Sequence, residues 1–203
     1  MKNTVEPPPS QLRRSPPTDK WTVGTAARLM HQKGLDTLIR AFAEFHVKVH
    51  DSRLLIAGEG PLEEDLKAMA ARLGVSGSVE FVGHVDDIYE FFVSLHLFAM
   101  PSRWEGYPYT LLEAMSAGVP VVASDIPGIS EALFHEFNGL LFAPDDERAL
   151  AKALTRAHGE PRLLSSLAAN ARDMVACDGP EEFCRKLEYR YIRATEQFAG
   201  FHG

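Results

Sequence analysis

Between residues 20 and 145 the chain alternates short, almost uniformly apolar runs with segments of helical period. The apolar runs fall at 21–27, 53–57, 79–82, 95–100, 119–123 and 139–142. Between the first two, Leu35, Leu38, Ile39, Phe42, Phe45 and Val49 recur at the spacing of one helix face. Further helices are predicted at 62–73, closed by Gly74 as a C′ glycine; from an Asp86 or Asp87 cap to Ser94; at 109–117, stopped by Gly118; and briefly at 130–135. Three helical stretches end the chain, near 146–158, 162–175 and 181–198. Strands without polar alternation need cover on both faces, and helices inserted between them supply it. The predicted fold is therefore α/β: a single Rossmann-like domain with a parallel sheet of about six strands flanked by helices. Pro120 sits at a strand entry, where a missing N–H does least harm.

The alternation starts abruptly at Lys20. Before it, Pro7-Pro8-Pro9 and Pro16-Pro17 mark residues 1–19 as a flexible, proline-rich arm or linker remnant. Residues 20–178 form the Rossmann-like domain in this reading, and 179–203 a C-terminal helix. A chain of 203 residues can build one sizeable core but is short for two full α/β domains. A net charge of −7 gives no electrostatic case for nucleic acid, so an anionic ligand must find a local positive site. No apolar run approaches the roughly 20 residues of a membrane span, and the N-terminus has no secretory apolar region. Cys177 and Cys184 are too few for a disulfide scaffold and read as reduced thiols. The location expected from these features is cytoplasmic.

Several chemistries are excluded by missing motifs. There is no P-loop, H-E-x-x-H, G-x-S-x-G or paired C-x-x-C, and Gly58-Glu59-Gly60 lacks the third glycine of a dinucleotide fingerprint. No two aspartates stand two apart, so an Asp-x-Asp metal clasp is absent and no metal or other cofactor is expected. Ligands of parallel sheets bind outside the carboxyl ends of the strands, and every candidate loop here follows a strand.

The first such loop carries Arg28 and Lys33. Two cations there can neutralise a diphosphate without a metal, each charge-assisted hydrogen bond contributing about 1.5–3 kcal/mol. A solvated surface loop is the competing reading. The fourth loop runs from Ser102 to Met115 and contains Glu105 and Glu113, with seven residues between them. It reads as a polar loop entering a helix. The N–H groups of Tyr109, Thr110 and Leu111 would be free at the helix start and could hold a phosphate, while the two carboxylates grip hydroxyls. Thr110-x-x-Glu113 also fits a capping box, in which Glu113 only satisfies a helix-start N–H. Arg103 and Trp104 could flank a ligand, although a tryptophan beside a strand end is more often a core lid. Gly58-Glu59-Gly60-Pro61 can be a plain turn before a helix, and Gly83-His84-Val85 offers backbone groups to a base edge. His31, His46, His50 and His158 are expected on the surface.

Taken in order, the blocks from Gly24-Thr25-Ala26-Ala27-Arg28-Leu29 to Lys33-Gly34, Gly58-Glu59-Gly60-Pro61-Leu62, Phe81-Val82-Gly83-His84-Val85, and Pro101-Ser102 through the Glu-x7-Glu segment form a recognisable set. Ala117-Gly118-Val119-Pro120-Val121-Val122-Ala123-Ser124 and Asn138-Gly139-Leu140-Leu141-Phe142 complete it. This set resembles the C-terminal, donor-binding domain of the retaining GT-B glycosyltransferases called group 1, or family four, over residues 22–145. Residues 24–29 depart from the family's common Val-Gly-Arg-Leu, but Arg28 keeps its spacing to Lys33.

The resemblance implies one half of a GT-B fold and binding of a nucleoside-diphosphate-sugar. It implies sugar transfer to an acceptor with retention of anomeric configuration, without a bound metal. It assigns Arg28 and Lys33 to the donor diphosphate and Glu113 to the ribose hydroxyls. Glu105 would meet the transferred sugar, with the backbone from Gly106 through Tyr107, Tyr109, Thr110 and Leu111 beside it. Gly58, Glu59, His84 and Val85 would line the nucleotide side. Glu105, Arg28 and Lys33 are the residues placed closest to the chemistry. It further implies that the acceptor-binding N-terminal domain or subunit lies outside this chain, that peripheral membrane association would run through that half, and that the helix at 181–198 packs toward it. Alone, the chain would bind donor and transfer little. A non-catalytic nucleotide-sugar-binding or interaction module stays open at this point, as does a GT-B epimerase or phosphorylase.

Overall fold

The computed structural model describes residues 16, 19–106 and 108–176. Among these residues six strands form one sheet: β1 (Trp21–Ala26), β2 (Ser52–Ala57), β3 (Val79–Gly83), β4 (Leu97–Met100), β5 (Val121–Ser124) and β6 (Leu140–Phe142). Every pairing is parallel, in the order β3-β2-β1-β4-β5-β6. The helices are α1 (Leu35–Lys48), α2 (Glu63–Arg72), α3 (Ile88–Val93), α4 (Tyr109–Ser116), α5 (Glu147–Gly159) and α6 (Pro161–Val175). A single 3-10 turn, His31–Lys33, precedes α1.

The uniform apolarity of the strands follows from their burial on both faces. Leu54, Ile56, Leu97, Ala99 and Val122 face one core with α1, α2 and α5. Their neighbours Leu55, Ala57, Phe98, Met100, Val121 and Ala123 face the other with α3 and α4. Successive side chains thus enter different cores, as the period of a strand requires. Helix α6 serves both, with Leu164 and Leu167 on the first and Ala171 on the second.

The helix ends carry the expected signals. Gly74 (φ +73) closes α2, its N–H donating to Ala71 and that of Val75 to Ala70. Asp87 is the cap of α3, accepting from the N–H groups of Tyr89 and Glu90.

Three expectations change. The helix predicted at 130–135 is a series of turns, because Asn138 Oδ1 takes the Phe134 N–H at 2.6 Å and pulls the chain back toward β6. Strands β4 and β5 start two residues later than predicted. The N–H of Leu95 still closes the end of α3, and that of Val119 the end of α4. His46 is half-buried, not on the surface. It hydrogen-bonds Ser52 Oγ at 2.8 Å and Ser78 Oγ at 3.1 Å, and burial, then His50 and Lys20, pushes its imidazole below the ordinary histidine pKa. The predicted helix at 181–198, both cysteines and nearly all of the proline-rich arm lie outside the described residues.

Candidate functional site

After β3 the chain returns across the sheet to β4, beside β1. The loops leaving β1 and β4 therefore lie side by side in the middle of the C-terminal edge and lead to helices on opposite faces, the place where open parallel sheets bind ligands.

On one side of this reversal, pairing continues beyond the strands. Ala27 N–H donates to Ala57 O at 3.0 Å, Leu29 N–H to Glu59 O at 2.9 Å, and Leu62 N–H to Leu29 O at 3.1 Å. Glycine permits this approach. A Cβ on Gly58 (φ +115) would stand 2.1 Å from Ala27 O, and one on Gly60 2.5 Å from Leu29 O. The result is an open cleft of about 500 Å³ lined by Arg28, Met30, Gly58, Glu59, Gly60, Pro61 and His84. Arg28 is exposed and makes no ion pair among the described residues. His84 is exposed, its Nε2 3.7 Å from Asp86. Val85 is partly buried against the second core and does not line the cleft. Met30 was not foreseen; its only sequence signal is its place between the two cations.

On the other side, the β1 and β4 loops are zipped together. Gly34 (φ +60) lies so close to Pro101 that a Cβ would come within 2.1 Å of its carbonyl oxygen. Gln32 O accepts the Arg103 N–H at 2.8 Å, and Gln32 Nε2 donates to Trp104 O at 2.9 Å. This contact brings Lys33 Nζ to 2.7 Å from Glu105 Oε1, with the Glu105 side chain only 6% exposed and that of Lys33 19%. Ser102 Oγ donates to the same oxygen at 2.6 Å. Gly128 (φ +87) lets the β5 loop support this segment, a Cβ there meeting the carbonyl oxygens of Glu105 and Gly106 at 3.2 Å.

Arg103 does not flank a ligand with a free guanidinium. Its side chain is 12% exposed and is shared among His31 O, Asp36 Oδ2 at 2.9 Å and Asp145 Oδ1 at 2.8 Å. Burial raises the Asp36 pKa, but the hydrogen bond and charge of Arg103 outweigh it and hold the carboxyl below its ordinary value. Trp104 is 54% exposed, with its ring 6.0 Å from His31, so it is no core lid.

Helix α4 starts at an N-cap of Pro108. Thr110 is therefore its second residue, and neither Thr110 nor Glu113 makes a side-chain hydrogen bond among the described residues. The capping box is not formed. Leu111 N–H donates to Pro108 O at 3.0 Å, so it is not free for an anion, whereas Thr110 N–H has no acceptor among the described residues. Tyr109 is exposed, and Tyr107 lies outside the described residues.

Glu113 is half-buried and makes no ion pair among the described residues, and burial pushes its carboxyl above the ordinary pKa. Among the described residues no hydrogen bond or ion pair joins its side chain to the Lys33–Glu105 pair or to the residues lining the cleft. The raised pKa fixes a sign. Between the ordinary value and the raised one, the folded chain binds more protons than the unfolded chain, so stability falls as pH rises through that window. Glu113→Gln is expected to raise the midpoint of thermal unfolding above the window and to flatten this pH slope. An unchanged slope in the variant would remove Glu113 as its source.

Among the described residues no group of three or more His, Cys, Asp or Glu side chains could hold a metal ion, and no helix is long and apolar enough to cross a membrane.

Residues 11–174 match the family model described as glycosyl transferases group 1. The chain is 36% identical over 183 residues to the lipopolysaccharide core biosynthesis mannosyltransferase LpsB of Rhizobium meliloti, covering 87% of this chain and 51% of that protein. The crystal structure of Anabaena Alr3699/HepE in complex with UDP and glucose superposes with a TM-score of 0.73 at 27% identity, over 78% of this chain and 44% of that one. The C-terminal domain of the group 1 family protein LpcC from Francisella tularensis superposes with a TM-score of 0.72 at 23% identity, over 81% of this chain and 91% of that one, a likeness of fold. The chain spans about half or less of the length of the curated relatives it matches.

Proposed function

We propose that this chain, which belongs to the glycosyl transferases group 1 family, is the donor-binding half of a glycosyltransferase. It takes a sugar from a nucleoside-diphosphate-sugar and passes it to an acceptor with retention of anomeric configuration. The observation that carries this reading is the arrangement at the sheet reversal. Arg28, without an ion pair among the described residues, lines the cleft, and Lys33 lies 2.7 Å from the buried Glu105. A cation for the diphosphate thus sits against an acid for sugar hydroxyls. The likeness to a protein whose structure holds UDP and glucose supports a nucleotide-sugar as the ligand.

In this reading Arg28 and Lys33 hold the two phosphates, and Glu113, freed from any capping role, accepts the ribose hydroxyls. Glu105 accepts hydroxyls of the sugar while remaining bonded to Ser102 and Lys33. When the anomeric C–O bond breaks, its electron pair stays on the diphosphate oxygen and positive charge develops on the sugar. Arg28 and Lys33 stabilise that growing anion from fixed positions, as preorganised electrostatic catalysis requires. They supply the charge a metal would otherwise bring, so no metal is required. The acceptor site belongs to an N-terminal domain or subunit outside this chain. That division agrees with the half-length match to relatives. The chain alone binds donor and transfers little.

Calorimetry of the purified chain against UDP, GDP and ADP and their sugars, with and without EDTA, tests this. Binding to at least one, undiminished by EDTA, is expected. No binding to any at millimolar concentration would overturn the donor-binding reading.

A further inference from the structure

Arg103 stands two residues before Glu105 yet spends its guanidinium on three other chain segments. One nitrogen donates to His31 O in the β1 loop, a second to Asp36 at the start of α1, and Nε lies 2.8 Å from Asp145 between β6 and α5. Its backbone N–H is held by Gln32, the neighbour of Lys33. Asp145 has a positive φ of 61, rare for a residue other than glycine, and Thr37 Oγ1 also donates to its Oδ1 at 3.3 Å. Such conformations persist only where surroundings fix them, and they cluster at functional sites. A planar five-donor fork holds three segments in fixed directions, whereas a lysine offers three rotatable donors on a single point charge and fixes no such geometry.

We infer that Arg103 is a positioning residue: through His31, Asp36 and Asp145 it sets the geometry in which Lys33 meets Glu105, and so the way the site receives the sugar of a nucleotide-sugar. Its second clause rests on the proposed donor-binding function; its first does not. Arg103 itself touches no donor. It pins the backbone two residues before Glu105 to the backbone two residues before Lys33, across a sequence separation of 72. Free movement of either loop would lengthen the 2.7 Å contact or turn the carboxylate from the sugar side.

The test is a double-mutant cycle, Lys33→Met with Glu105→Gln, measured by urea unfolding in the wild-type and Arg103→Lys backgrounds. In the wild type the coupling is expected to reach about tenfold or more in the unfolding equilibrium constant. In Arg103→Lys it is expected to fall to about twofold or less. An arginine that only adds stability would lower both cycles equally and leave the coupling intact, which would overturn the inference. Asp145→Asn is the second background. Asparagine tolerates the same backbone conformation, so this change removes the charge without the fold's bend, and the coupling should fall there too. The binding arm compares UDP with UDP-glucose, GDP with GDP-mannose, and ADP with ADP-glucose on Arg103→Lys. Loss of any preference for the sugar form, with nucleotide affinity kept within about threefold, supports the second clause. An unchanged preference overturns it. If the wild type binds none of these, the donor-binding reading falls with the second clause, while the cycle still decides the first.

Discussion

Gly34→Ala is expected to destabilise the domain by about 2–5 kcal/mol, the sum of a left-handed backbone cost of about 1–2 kcal/mol and an overpacking cost of about 1–3 kcal/mol. The new Cβ would stand 2.1 Å from the Pro101 carbonyl oxygen. The obstacle is backbone, so no side chain can swing aside. The two loops must separate, and the bonds that zip them, Arg103 to Gln32 and Gln32 to Trp104, would lengthen with them. Urea unfolding reads the effect directly. A loss under 1 kcal/mol would show that the loops tolerate separation and are not locked at the sheet reversal.

Lys33→Met is expected to cost about 3 kcal/mol, the lower end of what breaking a buried ion pair by removing one partner costs. The Glu105 side chain is 6% exposed and would keep its charge in a site where, among the described residues, Ser102 is the remaining donor. The residual exposure of Lys33 and that serine bond set the low end. Adding Glu105→Gln should recover the larger part, because the amide has no charge to strand. If the single substitution cost as little as an exposed pair, below about 1 kcal/mol, the contact would be a surface ion pair and not a preorganised element of the site.

Six parallel strands could be read from the chain because each apolar run is buried on both faces, and Leu54 and Leu55 entering opposite cores shows why no polar residue interrupts them. Strand starts were less legible. Leu95 and Val119 are as apolar as any strand residue, but helix ends take their N–H groups. That the loops carrying Arg28, Lys33 and Glu105 leave the same edge followed from the rule for parallel sheets. Their mutual state did not. The Lys33–Glu105 bond and the Arg103 junction span 72 and 67 residues and depend on glycines at 34 and 128 that let backbones touch. Thr110-x-x-Glu113 suggested a capping box, yet Pro108 starts the helix and moves Thr110 inside it. A motif of side-chain spacing cannot report which residue is the cap. That correction matters most for function, because it leaves Glu113 half-buried and without a side-chain partner among the described residues.

The proposed binding of a diphosphate by Arg28 over the cleft and Lys33 beside Glu105 is the step on which donor recognition turns. It is tested most directly by calorimetry of the preferred nucleoside diphosphate against its monophosphate, on the wild type and on Arg28→Ala. The wild type should prefer the diphosphate by about tenfold or more, the worth of one charge-assisted hydrogen bond. In Arg28→Ala that preference should shrink to about threefold or less, with monophosphate affinity little changed. Equal binding of both nucleotides by the wild type, or a preference untouched by Arg28→Ala, would contradict it.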